Sequence, residues 1–252
     1  METIRLNKFL SEQGVCSRRE ADRLIGAGAV TIDGRTAVMG EKVSGCEWIV
    51  CSGKPVGRAS GTRRAEPVLL AVNKPKGVVC TTSDKDRAPN VVELVGYPER
   101  IYPIGRLDKD SEGLLLMTNQ GDLANRIIHA GNFHEKEYVV TVDSPCHQAF
   151  LKKMQEGVEL KELGETTRPC RVTAVGERQF RIVLTQGLNR QIRRMCETLG
   201  FRVVELKRIR IMNIRLGRLR TGDFRRVTQK EWEELLRELD RSQAFLSGHQ
   251  GI

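Results

Sequence analysis

The chain reads as an α+β protein in two domains, and three observations carry that reading. From Pro67 onward short β-rich runs are interspersed with helices, and several strands follow one another across turns with no helix between them. That order calls for a mixed, largely antiparallel sheet. Upstream lies a small module, and between the two runs a stretch without apolar periodicity, rich in glycine, basic and small residues. The expected boundaries are 1–52 for the first domain, 53–66 for a flexible linker, 67–242 for the second domain and 243–252 for a C-terminal tail.

In the first domain, Arg5 to Gln13 has helical spacing, with Leu6, Phe9 and Leu10 on one face and Gly14 as a stop. Ser17-Arg18-Arg19-Glu20 fits a capping box for a second helix through Ala21, Leu24 and Ile25, ended by Gly26 and Gly28. Val30 to Val38 reads as a hairpin about Asp33-Gly34, and Trp48 to Val50 as a short strand. In the second domain, strands are expected at Val68–Val72, Leu114–Met117, Tyr138–Val142, Phe180–Leu184 and Val203–Leu206. Helices are expected at Asp122–Ala130, His147–Gln155, Asn189–Leu199 and Gln229–Leu239, the last with Thr228 as its cap.

Composition bounds the possible functions. With 252 residues, 39% hydrophobic and 29% charged, the chain suits a folded globular protein. It has no apolar run near the roughly 18 residues of a membrane span, and its first residues have no apolar signal core. A cytoplasmic protein without a membrane partner is expected. The seven cysteines are odd in number, scattered and without a C-x-x-C pair, and no histidine stands at ligand spacing, so neither disulfides nor a metal site are expected. Net charge is +10, and between Gln186 and Arg226 twelve basic residues, eleven of them arginine, face only three acids. Such a concentration reads as a nucleic-acid footprint. Arg18 and Arg19 break a local rule. They sit in the first turn of a helix, where the dipole disfavours cations but where anions bind.

The most informative string runs from Ile104 to Asp122, I-G-R-L-D-K-D-S-E-G-L-L-L-M-T-N-Q-G-D. Asp108 follows an arginine and leucine, precedes a polar turn ending at Gly113, and lies just before the apolar run Leu114–Met117. That order puts one carboxylate at the mouth of a sheet, on a loop. The pattern G-R-L-D-x-x-x-x-G-L-L-L-x-T-N-x-G resembles the active-site motif of the RsuA/RluB/RluE/RluF family of ribosomal RNA pseudouridine synthases. Three further segments carry the same resemblance: Asn73-Lys74-Pro75-Lys76-Gly77, Lys136-Glu137-Tyr138 and Gln186 to Met195. The R-L-N-K-F-L-S-E-x-G-x-C-S-R-R-E-A-D string from Arg5 onward resembles an S4-type RNA-binding domain. Ala130 to Tyr138 and Arg210 to Asn213 look most like the RluF type, which acts on large-subunit RNA.

The resemblance implies a pseudouridine synthase fold for the second domain and isomerisation of a flipped uridine. It makes Asp108 the essential carboxylate, attacking C1′ or abstracting the C2′ proton, with Arg193 as its charge partner and Tyr138 stacked on the base. Arg106 would fill the space the base leaves or hold a phosphate, and Arg5, Lys8, Arg18, Arg19, Arg190 and Arg194 would grip RNA. The reaction is a redox-neutral isomerisation, so no cofactor is expected. The partner is ribosomal RNA, with transfer RNA left open as a second substrate, and a monomer is expected. Two rivals belong to other classes: a non-catalytic RNA-binding or ribosome-assembly protein, and an aminoacyl-tRNA synthetase with the same accessory domain. The second would need nucleotide-binding signatures, and the sequence holds no H-x-G-H motif or glycine-rich phosphate loop.

Overall fold

The structure, a computed structural model, describes residues 3–57, 66–81, 88–128 and 133–248, without the side chains of 243 and 245–248. The chain divides into two compact units. One runs from the N-terminus to Val68 with Pro98–Arg100 and Asn119–Gly121, and the other comprises the rest.

In the first unit, β1 (Ile4–Arg5) leads into α1 (Leu6–Glu12), followed by α2 (Arg18–Gly26), β2 (Val30–Ile32), β3 (Arg35–Thr36), β4 (Lys42–Val43), β5 (Ile49–Cys51) and β6 (Lys54–Val56). Four of the strands form an antiparallel sheet in the order β3-β2-β5-β6, and β1 pairs with β4. Leu6, Phe9 and Leu10 of α1 and Ala21 and Ile25 of α2 bury against Val30, Ile32, Ile49 and Val56. β6 corrects the expected linker. Residues 54–56 belong to the first unit, because Val56 fills its core while Lys54 and Pro55 face water at the sheet edge. The remainder of the expected flexible linker, 58–65, lies outside the described residues. The Ser17 cap is half of a capping box. Its Oγ accepts from the Glu20 N–H at 3.1 Å, while the Glu20 carboxylate turns to the Arg23 guanidinium.

The second unit is built on one large sheet. In chain order it contains β7 (Leu69–Lys74), α3 (Val91–Val95), β8 (Tyr102–Pro103), β9 (Glu112–Thr118), α4 (Gly121–Ile128), β10 (Lys136–Val142), α5 (Gln148–Glu156), β11 (Glu159–Leu160), β12 (Glu165–Thr166), β13 (Arg171–Gly176), β14 (Gln179–Leu184), α6 (Gln191–Thr198), β15 (Val203–Ile211), β16 (Ile214–Arg215), β17 (Phe224–Arg226) and α7 (Gln229–Gly248). The sheet order is β13-β14-β10-β15-β9-β7-β17, antiparallel at every junction but one, the short parallel contact of β9 with β15. β9 is buried from Gly113 to Thr118 because it lies inside the sheet, whereas β10 buries alternate residues Tyr138, Val140 and Val142 against α5 and α6. A second core packs α4 and α7 against Leu69, Leu114 and Leu116.

Two expectations need correction here. The last helix reaches residue 248, so the tail expected from 243 begins within it. The short α3 was not expected. It is fixed by an Asn90–Glu93 capping box and a left-handed Gly96 rather than by a long apolar period.

Candidate active site

The loop from Ile104 to Ser111, between β8 and β9, is fastened on every side. Gly77 donates its N–H to the Lys109 carbonyl at 2.7 Å. The Cys80 thiol donates to the Leu107 carbonyl at 3.3 Å and accepts the Leu107 N–H at 3.4 Å. Burial pushes that thiol up from its ordinary pKa, which keeps it a neutral S–H donor. Lys74, fully buried, donates to the carbonyls of Pro75 and Val78 and so shapes the turn that reaches the loop.

Gly113 ends the loop for a steric reason. Its φ is +107°, and a Cβ there would lie 2.3 Å from the Arg208 carbonyl oxygen and 2.8 Å from the Arg208 nitrogen. β9 and β15 approach this closely only because position 113 has no side chain.

Beside the loop opens a cavity of about 250 Å³, lined by Asp108, Arg106, Lys136, Tyr138, Arg190, Arg193 and Arg208 among others. The structure thus brings Asp108, Tyr138, Arg193, Arg106 and Arg190 together around one space. Tyr138 is buried and Asp108 half-buried, while Arg106 is exposed.

The expected Asp108–Arg193 pair takes a different form. Arg193, 7% exposed, places Nε 3.4 Å from the Asp110 carboxylate and donates through Nη2 to the Asp110 carbonyl and the Ser111 hydroxyl. The cation nearest Asp108 is Arg190, at 3.7 Å. Arg190 also grips both Asp110 oxygens, at 3.2 and 3.1 Å. Burial pushes the Asp110 carboxyl up, but the Arg190 hydrogen bonds and the Arg193 charge outweigh it and hold it below its usual range. Both arginines thus reach Asp110, and Arg193 meets the Asp108 loop at Asp110 and Ser111 rather than at Asp108 itself.

Other expected RNA contacts divide similarly. Arg5, Arg18 and Arg19 are exposed in the first unit, whereas Lys8 is half-buried and pairs with Glu12 at 3.5 Å. Arg194 pairs with Glu162 and folds back on Asn189. The basic stretch from Gln186 to Arg226 is less open than its charge count suggests. Arg202 pairs with Asp143, Lys207 with Glu112, Arg210 with Glu135 and Glu137, and Arg225 with Glu231. The acids that neutralise it come almost wholly from other parts of the chain, so a window of sequence could not reveal them. Arg215, Arg218 and Arg220 are exposed there, as are Arg190, Arg202 and Arg226.

Sequence reasoning passed over Lys136, Arg208, Asp110 and Cys80. Only Lys136 was within reach, since it stands two residues from Tyr138 on the same strand face.

Comparison with known proteins gives concordant results. Residues 68–198 match the model of the RNA pseudouridylate synthase family, and residues 4–49 match that of the S4 domain. The dual-specificity RNA pseudouridine synthase RluF of Escherichia coli K12 is 47% identical over 241 residues, covering 95% of this chain and 81% of that protein. The ribosomal large subunit pseudouridine synthase B of Bacillus subtilis is 36% identical, covering 92% of this chain and 95% of that protein. A crystal structure of a pseudouridylate synthase superposes with a TM-score of 0.67 at 30% identity, over 92% of this chain and 99% of the other.

Proposed function

The chain belongs to the RNA pseudouridylate synthase family and carries an S4 domain at its N-terminus, and from that premise we propose that it isomerises chosen uridines of large-subunit ribosomal RNA through Asp108. The enzyme class follows from the family; the target and the roles of single residues are the proposal. The observation that supports them best is one half-buried carboxylate, Asp108, on a fastened loop at the wall of a cavity that also holds Tyr138. A non-catalytic RNA-binding protein has no need of that arrangement.

A uridine stacked in RNA must be turned out of its stack before C1′ can be reached, at a cost of a few kcal/mol. Cations gripping the flanking phosphates offset part of that cost. On this reading the exposed Arg5, Arg18 and Arg19 contribute in the first unit, with Arg106 at the cavity mouth. Asp108 then attacks C1′ or takes the C2′ proton, the base turns over on Tyr138, and C5 joins C1′. Arg190 gives the Asp108 carboxylate a neighbouring positive charge, and Arg193 with Asp110 keeps the loop in place.

The large-subunit target is supported by the name of the Bacillus subtilis relative, and transfer RNA as a further substrate by the dual-specificity name of the Escherichia coli relative. On this reading the enzyme acts in the cytoplasm as a monomer. The test is to map pseudouridine in ribosomal and transfer RNA from cells with and without the protein. Loss of defined sites in large-subunit RNA is expected. An unchanged map would overturn the assignment.

A further inference from the structure

Two kinds of cation line the cavity. Arg190 and Arg193 are committed to Asp108 and Asp110. Lys136 and Arg208 have no carboxylate within ion-pair distance among the described residues. Lys136 Nζ donates to the His134 carbonyl at 3.2 Å. Arg208, 4% exposed, donates to the carbonyls of Leu114 at 2.7 Å and Arg106 at 3.5 Å, and among the described residues its Nη2 finds no partner. Register explains why the two act together. Lys136 and Tyr138 lie two apart on β10, and Tyr138 pairs directly with Arg208 on β15, so all three share a face. The Arg208 guanidinium lies 6.0 Å from the centre of the Tyr138 ring.

Cations held out of water without counter-charges, such as the buried Arg208 and the half-buried Lys136, are costly, and folded proteins ordinarily pair them. Here burial and the neighbouring Arg208 charge hold the Lys136 ammonium down at about 8. A cavity that keeps such a pair is set up for an anion that the resting enzyme lacks.

The chemistry supplies one. When the C1′–N1 bond breaks, both electrons stay on N1, and the released uracil carries a negative charge spread over N1, O2 and O4. In one route Asp108 becomes a neutral sugar ester; in the other it becomes a neutral acid holding the C2′ proton. In both, the negative charge moves from Asp108 to the base. It returns when C5 bonds to C1′, the C5 proton is lost and N1 regains a proton. Resting on the function proposed above, we propose that Lys136, backed by Arg208, is the catalytic cation that stabilises the detached uracil anion. Its field acts where charge develops and needs no reorganisation at that moment.

The test compares single-turnover rates at saturating enzyme on RNA carrying uridine or 5-fluorouridine at the target, read as loss of the starting nucleoside. Lys136→Met removes the charge and keeps most of the bulk. It should bind RNA nearly as well and react slower on the order of 10²-fold on uridine. On 5-fluorouridine its deficit should shrink severalfold, because fluorine stabilises the anion without help. Lys136→Arg should recover part of the uridine rate. Melting temperatures identify misfolding, which Lys136→Arg, still charged, bypasses. A normal rate for Lys136→Met, or the same deficit on both substrates, would overturn the inference while leaving the proposed function standing. Absence of pseudouridine formation by the wild-type enzyme on the mapped RNA would remove the premise, and the inference with it.

Discussion

Arginine does opposite work in the two units. Arg18 and Arg19 stand exposed in the first turn of α2, with their charge turned to solvent. Arg193 and Arg208 of the second unit are 7% and 4% exposed and spend their donors on backbone carbonyls and the Ser111 hydroxyl around the Asp108 loop. On the proposed reading, the first pair offers its charge to the RNA. The second pair uses the fork of five N–H donors to hold a loop in shape. Arginine count alone therefore says little about where RNA binds; burial and partners decide it. Substituting these sites, or the residues that seat them, sharpens the contrast.

The largest loss should come from Gly113→Ala. A Cβ 2.3 Å from the Arg208 carbonyl forces β9 and β15 apart, displacing the buried arginine and the end of the loop together. Strain of this kind costs about 1–3 kcal/mol at the backbone alone, and the weakened strand pairing adds to it. Urea unfolding should show a destabilisation of at least that size; a midpoint like the wild type would mean the two strands do not approach closely.

Arg193→Ala follows. It removes the anchors on the Asp110 carbonyl and Ser111 and leaves Asp110 to Arg190 alone. Breaking a buried pair of this type costs roughly 3–5 kcal/mol, less here because Asp110 keeps Arg190 and is half-exposed. Turnover should fall steeply while RNA binding changes little, as paired rate and filter-binding measurements would show. Arg193→Lys should keep part of the rate, since charge survives without the fork.

Lys136 gives a smaller effect of opposite sign. Its pKa is lowered to about 8 in the folded protein, so the unfolded chain binds the extra proton between pH 8 and its ordinary 10.5. The penalty for burying the ammonium is complete below pH 8 and fades as pH rises through that window. The charged group facing it is Arg208; its β-neighbours Leu184 and Ile211 are apolar. Lys136→Met should thus raise stability at neutral pH by roughly 1–3 kcal/mol, a gain that shrinks toward pH 10. A gain independent of pH would point to packing instead.

The smallest effect on the protein itself belongs to Arg18→Ala with Arg19→Ala. Stability and saturated rate should stay near wild type. RNA affinity should fall, and the slope of log K against log salt should flatten by roughly 0.7–0.9 for each phosphate no longer neutralised. A saturated rate as low as that of an Asp108 variant would place the first unit in the chemistry.

Much of this was legible in the sequence where interactions are local. The apolar run Leu114–Met117 and the polar turn before it put Asp108 on a loop at a strand mouth, and periodicity located α1, α2, α4 to α7 and the main strands. Illegible were features decided by residues far apart in the chain. Nothing local says that Arg210 meets Glu135 and Glu137, or that Arg190 rather than Arg193 lies nearest Asp108. The need for glycine at 113 arises from a strand 95 positions later. β6 was hidden because Lys54-Pro55-Val56 buries only one residue.

The central claim is that the Asp108 carboxylate itself performs the chemistry, and Asp108→Asn tests it most directly. The substitution keeps shape and removes the anion, so the amide can neither attack C1′ nor take the C2′ proton. Pseudouridine formation on the mapped ribosomal RNA, read by tritium release from C5-labelled uridine or by mass shift after chemical labelling, should fall below detection. RNA binding should persist, because the arginines proposed to grip phosphates are untouched. Normal pseudouridine formation by Asp108→Asn would contradict the account and leave the carboxylate without a role in catalysis.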